Sequence, residues 1–187
     1  MKSKLMLLVP AFVSVLGCAR ADETSKPLPA PAADSAPSKL ATETAVLAGG
    51  CFWGMQGVFQ HVKGVTQVVS GFSGGAKPGG GYEEVSSGTT GNAESIRITF
   101  DPKQVSFGQI LRVYFSVMDP TTLNYQGPDE GTQYRSVVFY KTGAERQTIR
   151  AALRRAERVR LGCVVDFVSA WCCMGVPSPY FVSKYSN

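Results

Sequence analysis

Along residues 43–162 short apolar strands alternate with amphipathic helices, and this alternation predicts an α/β (α+β) two-layer sandwich. Two further observations sharpen the expectation. The first three elements read as one β-α-β unit, and a long polar loop interrupts the second half of the domain. The expected architecture is a ferredoxin-like split β-α-β core that carries a long functional loop.

Thr44-Ala45-Val46-Leu47-Ala48 forms a short apolar strand, broken by Gly49-Gly50. From Cys51 onward apolar residues recur at Phe52, Met55, Val58 and Phe59, a helical spacing that Gly64 ends, with His61 on the same helix. Residues 65–72 read as the second strand, so Cys51 stands at the turn from strand to helix. A Gly-rich loop over 74–81 leads into Tyr82-Glu83-Glu84-Val85. Ile96, Ile98 and Phe100 then alternate with Ser95, Arg97 and Thr99, the pattern of a half-buried strand. Ser106 and Gln109 have capping-box spacing ahead of Phe107, Ile110, Leu111, Tyr114, Phe115 and Met118, which predicts a helix over 107–118. Residues 119–133 form the long polar loop. Residues 134–141, rich in aromatic and β-branched side chains, read as a strand. Thr142 and Glu145 open a last helix with an apolar stripe of Ile149, Ala152, Leu153 and Ala156.

The chain has 187 residues, 44% apolar and 18% charged, with a net charge of +5. Residues 1–18 carry Lys2 and Lys4 and then an apolar run from Leu5 to Leu16, too short to span a bilayer comfortably. The run ends Val15-Leu16-Gly17-Cys18, which resembles the cleavage and acylation site of a bacterial lipoprotein leader; Cys18 would carry the lipid. Ala19 rather than aspartate after it points to the periplasmic face of the outer membrane. Residues 19–42, rich in Ala, Pro, Ser and Asp and lacking aromatics, read as a disordered tether. The arginines of the last helix, Arg146, Arg150, Arg154, Arg155, Arg158 and Arg160, have no interleaved aromatics and read as a solvated face, with no nucleic-acid role. One domain over 43–162 and a tail over 163–187 complete the organisation.

Gly49-Gly50-Cys51-Phe52-Trp53-Gly54 is the most informative stretch. A cysteine that opens a helix lies near unpaired backbone N–H groups and the positive end of the helix dipole, both of which favour the nucleophilic thiolate. The glycines let the backbone turn tightly and leave the sulfur uncovered. A buried structural cysteine is the alternative reading of that position. His61, the sole histidine, lies ten residues on, about 15 Å along an intact helix. A Cys/His hydrolase dyad is therefore disfavoured. Zinc is disfavoured too, because no Cys-x-x-Cys or paired-histidine spacing exists, and no cofactor is expected.

Four motifs resemble those of the class A peptide methionine sulfoxide reductases, in order over about 44–161: Gly49-Gly50-Cys51-Phe52-Trp53; Gly81-Tyr82-Glu83-Glu84-Val85; Ser87-Gly88-Thr89-Thr90-Gly91-Asn92-Ala93-Glu94; and Asp129-Glu130-Gly131-Thr132-Gln133-Tyr134-Arg135-Ser136. Asn92 departs from the family, which usually has His there. The resemblance implies that Cys51 attacks the sulfoxide sulfur and that Glu94 protonates its oxygen. It further implies that Tyr82 and Tyr134 donate hydrogen bonds to that oxygen, that Asp129 orients substrate or water, and that Phe52 and Trp53 line an apolar pocket for the methyl group. The expected substrates are oxidised proteins or free methionine sulfoxide, of the S epimer. The expected partner is a thioredoxin-like reductant, and the expected state is a monomer.

After Gly162 the resemblance stops. Family members continue with a strand and a Tyr-His-Gln run, whereas this chain reads Cys163-Val164-Val165-Asp166 and later Trp171-Cys172-Cys173-Met174. Either the tail is a divergent segment that supplies a resolving cysteine, or the reading frame is lost near Gly162. Cys163, Cys172 and Cys173 are the resolving candidates. Cys172 and Cys173 would not bridge each other, since adjacent Cα atoms are ~3.8 Å apart and a disulfide needs ~4.4–6.8 Å. The competing readings are an inactive lipoprotein homologue that lost its activity with its C-terminus, and a cysteine hydrolase lacking a visible base.

Overall fold

The computed structural model describes residues 27–30, 34, 39–75, 81–161 and 181–183. Cys18, the leader, and Cys163, Cys172 and Cys173 lie outside the described residues.

Strand β1 (Glu43–Ala48), helix α1 (Phe52–Phe59) and strand β2 (Val65–Ser73) form the β-α-β unit, and β3 (Ala93–Phe100) lies between its two strands. Both β1 and β2 pair antiparallel with β3, so they run parallel to each other: the split arrangement the sequence predicts. Strand β6 (Val137–Phe139) extends the sheet beyond β1, and β7 (Phe181–Ser183) extends it beyond β2, giving the order β6-β1-β3-β2-β7. Register follows the apolar alternation. Leu47 faces Ile96 and Ala45 faces Ile98, so one face of the sheet is continuously apolar.

That face is covered by α1, α3 (Phe107–Val117) and α4 (Gly143–Leu161), which pool Phe52, Met55, Phe59, Ile110, Leu111, Phe115, Ile149 and Leu153 into one core. The capping box of α3 forms as its spacing predicts: Gln109 N–H donates to Ser106 Oγ at 3.2 Å, and Ser106 N–H donates to Gln109 Oε1 at 2.8 Å. At α4, Glu145 N–H donates to Thr142 Oγ1 at 3.2 Å, while the Glu145 carboxylate reaches back to the Lys141 amide. Arg146, Arg150, Arg154 and Arg158 are exposed, as expected of a solvated face.

Three elements differ from the sequence reading. Helix α1 ends at Phe59 because the chain tightens into three-residue turns, with His61 N–H donating to Val58 O and Val62 N–H to Phe59 O. His61 therefore lies in an exposed turn past the helix. Gly64, at φ +92, completes this reversal with Val105 and Gln104 packed so closely that a Cβ would meet them within 3 Å. The strand expected over 134–141 shrinks to residues 137–139, because Tyr134 and Arg135 spend their amides on a 3-10 turn (Thr132–Tyr134) that follows Gly131 at φ +134. The polar loop is ordered by a small hairpin, β4 (Tyr125–Gln126) and β5 (Asp129–Glu130).

The stretch read as a tether touches the domain at two points. Leu28 is buried in the core at 3% exposure, its N–H donating to Ser116 Oγ and its carbonyl accepting from Arg112 Nε. Asp34 lies at the start of α3, accepting from Gly108 N–H at 2.8 Å and pairing with Ser106 Oγ. The segment thus runs antiparallel to α3, with a carboxylate at the helix's positive end. Burial of a leucine is worth about 1.5–3 kcal/mol and a helix cap about 1 kcal/mol, partly offset by the entropy of ordering the segment. Deleting residues 19–38 is therefore expected to lower Tm by roughly 5 °C in a calorimetric scan. An unchanged Tm would show that these contacts add no stability.

Candidate functional site

The site is built where β1 hands over to α1. Tyr114 donates from its buried hydroxyl to Ala48 O at 2.6 Å and pins the end of β1. A Cβ at Gly49 would come within 3.1 Å of the Tyr114 ring. Gly50 adopts φ +85, and a Cβ there would fall 2.8 Å from Gln126 Cβ, so both conformation and space demand glycine. Cys51 follows as the N-cap residue of α1, half-buried and unbridged, with its carbonyl accepting the first helical hydrogen bond from Met55 N–H at 3.2 Å. Its side chain makes no cap bond, so the sulfur is not engaged by the helix it opens.

The cap comes from elsewhere. Phe52 N–H donates to Glu94 Oε2 at 3.0 Å, across 42 residues of sequence. Glu94 lies near the start of β3, opposite Phe72 of β2, and is 2% exposed. A buried carboxyl is thereby fixed one residue from the sulfur. Burying it is costly unless it is hydrogen-bonded, and the orphan amide of the first helical turn supplies that bond. An acceptor role suits either protonation state of the carboxyl.

Aromatic rings form the wall beside Cys51. Phe52 is buried and packs on Phe72, ring centroids 5.6 Å apart. Trp53 is 58% exposed and stacks nearly parallel on Tyr82, centroids 6.3 Å apart at 11°. Tyr82 opens the one-turn helix α2 (Tyr82–Ser86), whose Glu84 carboxylate accepts from Gly81 N–H at 3.1 Å. Burial and then the negative charges of Glu94 and Asp129, with smaller contributions from Tyr82 and Cys51, raise the Tyr134 phenol above its ordinary value of 10.0. The Tyr134 phenol thus lies within electrostatic reach of Glu94, Asp129, Tyr82 and Cys51. The Phe52 ring lies against both Trp53 and Tyr82, and its amide holds Glu94, so these residues are grouped at the start of α1 beside Cys51. His61 is not among them: it lies beyond the far end of α1. Among the described residues no group of three or more His, Cys, Asp or Glu side chains has the geometry to hold a metal ion.

Several supports are not visible in the sequence reading. Phe72 backs Phe52. Arg135 donates to Thr132 O at 2.8 Å and to Gly91 O at 2.9 Å, tying the turn that carries Tyr134 to the loop that leads into β3. Burial lowers its guanidinium below the usual range. Asn92 Oδ1 accepts from Gly75 N–H at 2.8 Å and ties Gly75 to the residue before β3. Alternation and motif spacing report none of these, because each joins segments far apart in the chain. The arrangement offers a half-exposed thiol, a buried acid, hydroxyl donors and an apolar wall: the parts needed to attack a polarised centre that bears both an oxygen and an apolar group.

A family model described as peptide methionine sulfoxide reductase matches residues 43–165. A peptide methionine sulfoxide reductase of Mesorhizobium japonicum is 54% identical over 121 residues, covering 64% of this chain and 62% of that protein. The solved methionine sulfoxide reductase A of Corynebacterium diphtheriae superposes with a TM-score of 0.58 at 31% identity, over 73% of this chain and 64% of that one. Mxr1 of Saccharomyces cerevisiae in its reduced form shares the fold, with a TM-score of 0.67 at 24% identity over 79% of this chain and 82% of that one. Mxr1 has also been solved in complex with Trx2; that crystal matches with a TM-score of 0.51 at 15% identity, over 82% of this chain and 91% of Mxr1. The chain spans 62%, 51% and 64% of the length of three curated relatives that it matches. With the matched stretch taking in every residue of the site, the chain belongs to the peptide methionine sulfoxide reductase family.

Proposed function

We propose that this protein reduces methionine S-sulfoxide, in proteins and as the free amino acid, back to methionine. The observation that carries the reading is the 3.0 Å bond from Phe52 N–H to the Glu94 carboxyl, which holds an acid beside a half-exposed cysteine. The Cys51 thiolate attacks the sulfoxide sulfur. Glu94 gives its proton to the oxygen, which would otherwise leave as an unstable oxide, and Tyr82 and Tyr134 donate hydrogen bonds to that oxygen as its charge grows. Asp129 orients substrate or water, and the Phe52 and Trp53 side receives the methyl group. Methionine sulfur regains its electron pair, the oxygen passes to Cys51 as a sulfenic acid, and the cysteine is the atom oxidised. A second thiol then displaces water to form a disulfide, which a thioredoxin-type dithiol reduces; the yeast protein of the same fold is known in complex with Trx2. Cys163, Cys172 and Cys173 are the internal candidates for that second thiol. Strand β7, which follows these cysteines in the sequence, pairs with β2 and sets Val182 opposite Phe72.

We also propose that Cys18 is acylated and that the monomeric protein works at the periplasmic face of the outer membrane, on the basis of the leader's resemblance to lipoprotein leaders. Against the reductase stands the inactive homologue, because residues 166–187 fall outside the matched stretch. Incubating the mature chain with methionine sulfoxide and dithiothreitol separates the two. Turnover that vanishes in Cys51→Ser is expected; no turnover in the intact chain would favour the inactive homologue.

Two further outcomes follow from the assigned roles. Glu94→Gln keeps an acceptor for Phe52 N–H but cannot give up a proton in the same way, and is expected to lower kcat/KM about 10²–10⁴-fold. A loss under threefold would remove Glu94 as the acid. Because Tyr134 has a raised pKa in the folded protein, it holds its proton, and the stability tied to that proton, below pH 10; both are lost as pH rises through the higher folded value. Tyr134→Phe should therefore cost about 10²-fold in kcat/KM equally at pH 7 and pH 9. A penalty that faded between those values would mean the phenol has already ionised.

A further inference from the structure

Gln126 lies in the two-residue strand β4, and its amide touches more of the site's framework than any sequence pattern announces. Its Oε1 accepts from Asp119 N–H at 2.9 Å. Its Nε2 has three acceptors within hydrogen-bond distance for its two protons: Asp119 O at 2.7 Å, Thr122 Oγ1, and Ser136 Oγ at 3.0 Å. Asp119 and Thr122 belong to the chain leaving α3, whereas Ser136, fully buried, stands two residues beyond Tyr134. The Gln126 backbone pairs with Asp129, and its Cβ occupies the space that only a glycine at position 50 leaves open. One side chain thus borders the segments that carry Cys51, Asp129 and Tyr134.

Such a brace is needed because the loop has little regular structure to hold it. Its hairpin has two residues on each strand, and Asn124 takes φ +56 at its start. A pairing that short is marginal by itself. Side-chain hydrogen bonds must then fix the loop to its surroundings, and Gln126 joins the two arms of the loop to each other.

We propose that Gln126 is a positioning residue for the sulfoxide oxygen: through Ser136 its side-chain amide sets Tyr134 at the right distance from Cys51. The proposal rests on the reductase reading above and extends it. Misplacing a positioned group by an ångström can cost on the order of 10²-fold. Gln126 acts through Tyr134 and not on the sulfur, so Cys51 reactivity toward a simple alkylating agent should not follow the loss.

A double-mutant cycle in the full mature chain tests this. Gln126→Met keeps the shape and removes the hydrogen bonds, and it should lower kcat/KM for methionine sulfoxide about 10- to 100-fold. In a Tyr134→Phe background the same change should cost less than about threefold, since the group it positions is already gone. The rate of Cys51 alkylation by iodoacetamide should stay within about twofold of wild type. If Gln126→Met does not fold, Ser136→Ala cuts only the arm toward Tyr134 and carries the same cycle. Equal losses in both backgrounds, or an alkylation rate that falls with turnover, would overturn the positioning role while leaving the reductase standing. Absence of turnover in the wild type would overturn both.

Discussion

The hydrogen bond from Phe52 N–H to Glu94 Oε2 is the contact on which the rest of the site depends. A helix begins with amides that have no partner within it, and Cys51, although it occupies the capping position, supplies none. A carboxyl from the middle strand takes that role instead. The same bond satisfies a buried acid, ends the first turn of α1 and holds the helix start against the sheet. Because the cap is a carboxyl from β3, the start of α1 that carries Cys51 and the Glu94 carboxyl are held together.

This end of the sheet is accordingly polar inside. Ser70, Ser73, Asn92, Glu94 and Ser95 are all buried, whereas the other end of β3 carries Ile96, Ile98 and Phe100 into the core. Buried polar groups are tolerated when each has a partner, and local bonds supply several: Ser70 Oγ donates to Gln56 Oε1, and Ser95 Oγ donates to Ala93 O at 2.9 Å. The apolar half of the sheet fixes the register. The polar half then falls at a defined place beside Cys51.

Much of this was legible in the sequence. Period-two alternation in β1 and β3 and the capping box at Ser106 are local rules, and those elements form where the rules put them, while the helical spacing after Cys51 places the start of α1 but not its end. The cysteine's place at the strand-to-helix turn was equally local. What stayed hidden depends on contacts between distant segments. Residues 134–141 have strand composition, yet Gly131 and the 3-10 turn claim Tyr134, and only Val137–Phe139 pairs with β1. Composition reads 19–42 as a disordered tether, because a stretch of prolines, alanines and polar residues without aromatics gives no period; Leu28 nevertheless finds a place against α3. Arg135 falls in the expected strand and Gln126 in the polar loop, and only the fold brings Gly91 to one and Gly50 and Ser136 to the other.

The two walls of the site differ in exposure in a way that matches the chemistry proposed for it. A sulfoxide is polar at oxygen and apolar at its methyl and methylene groups, so one orientation must be selected before a thiolate can approach the sulfur. Glu94 is buried, so in the proposed reaction a proton given from it to an incoming oxygen would meet little competition from bulk water. Trp53 and Tyr82 remain substantially exposed although stacked, an arrangement that leaves apolar surface unsatisfied until something covers it. Covering that surface and presenting oxygen to the buried acid are favoured by the same orientation of a methyl sulfoxide. The reversed orientation would bury the methyl group against a carboxyl and strand the oxygen on two aromatic rings, losing hydrogen bonds at both ends. In the proposed reaction, selection between the two orientations rests on the contrast between the buried Glu94 carboxyl and the exposed Trp53 and Tyr82 rings.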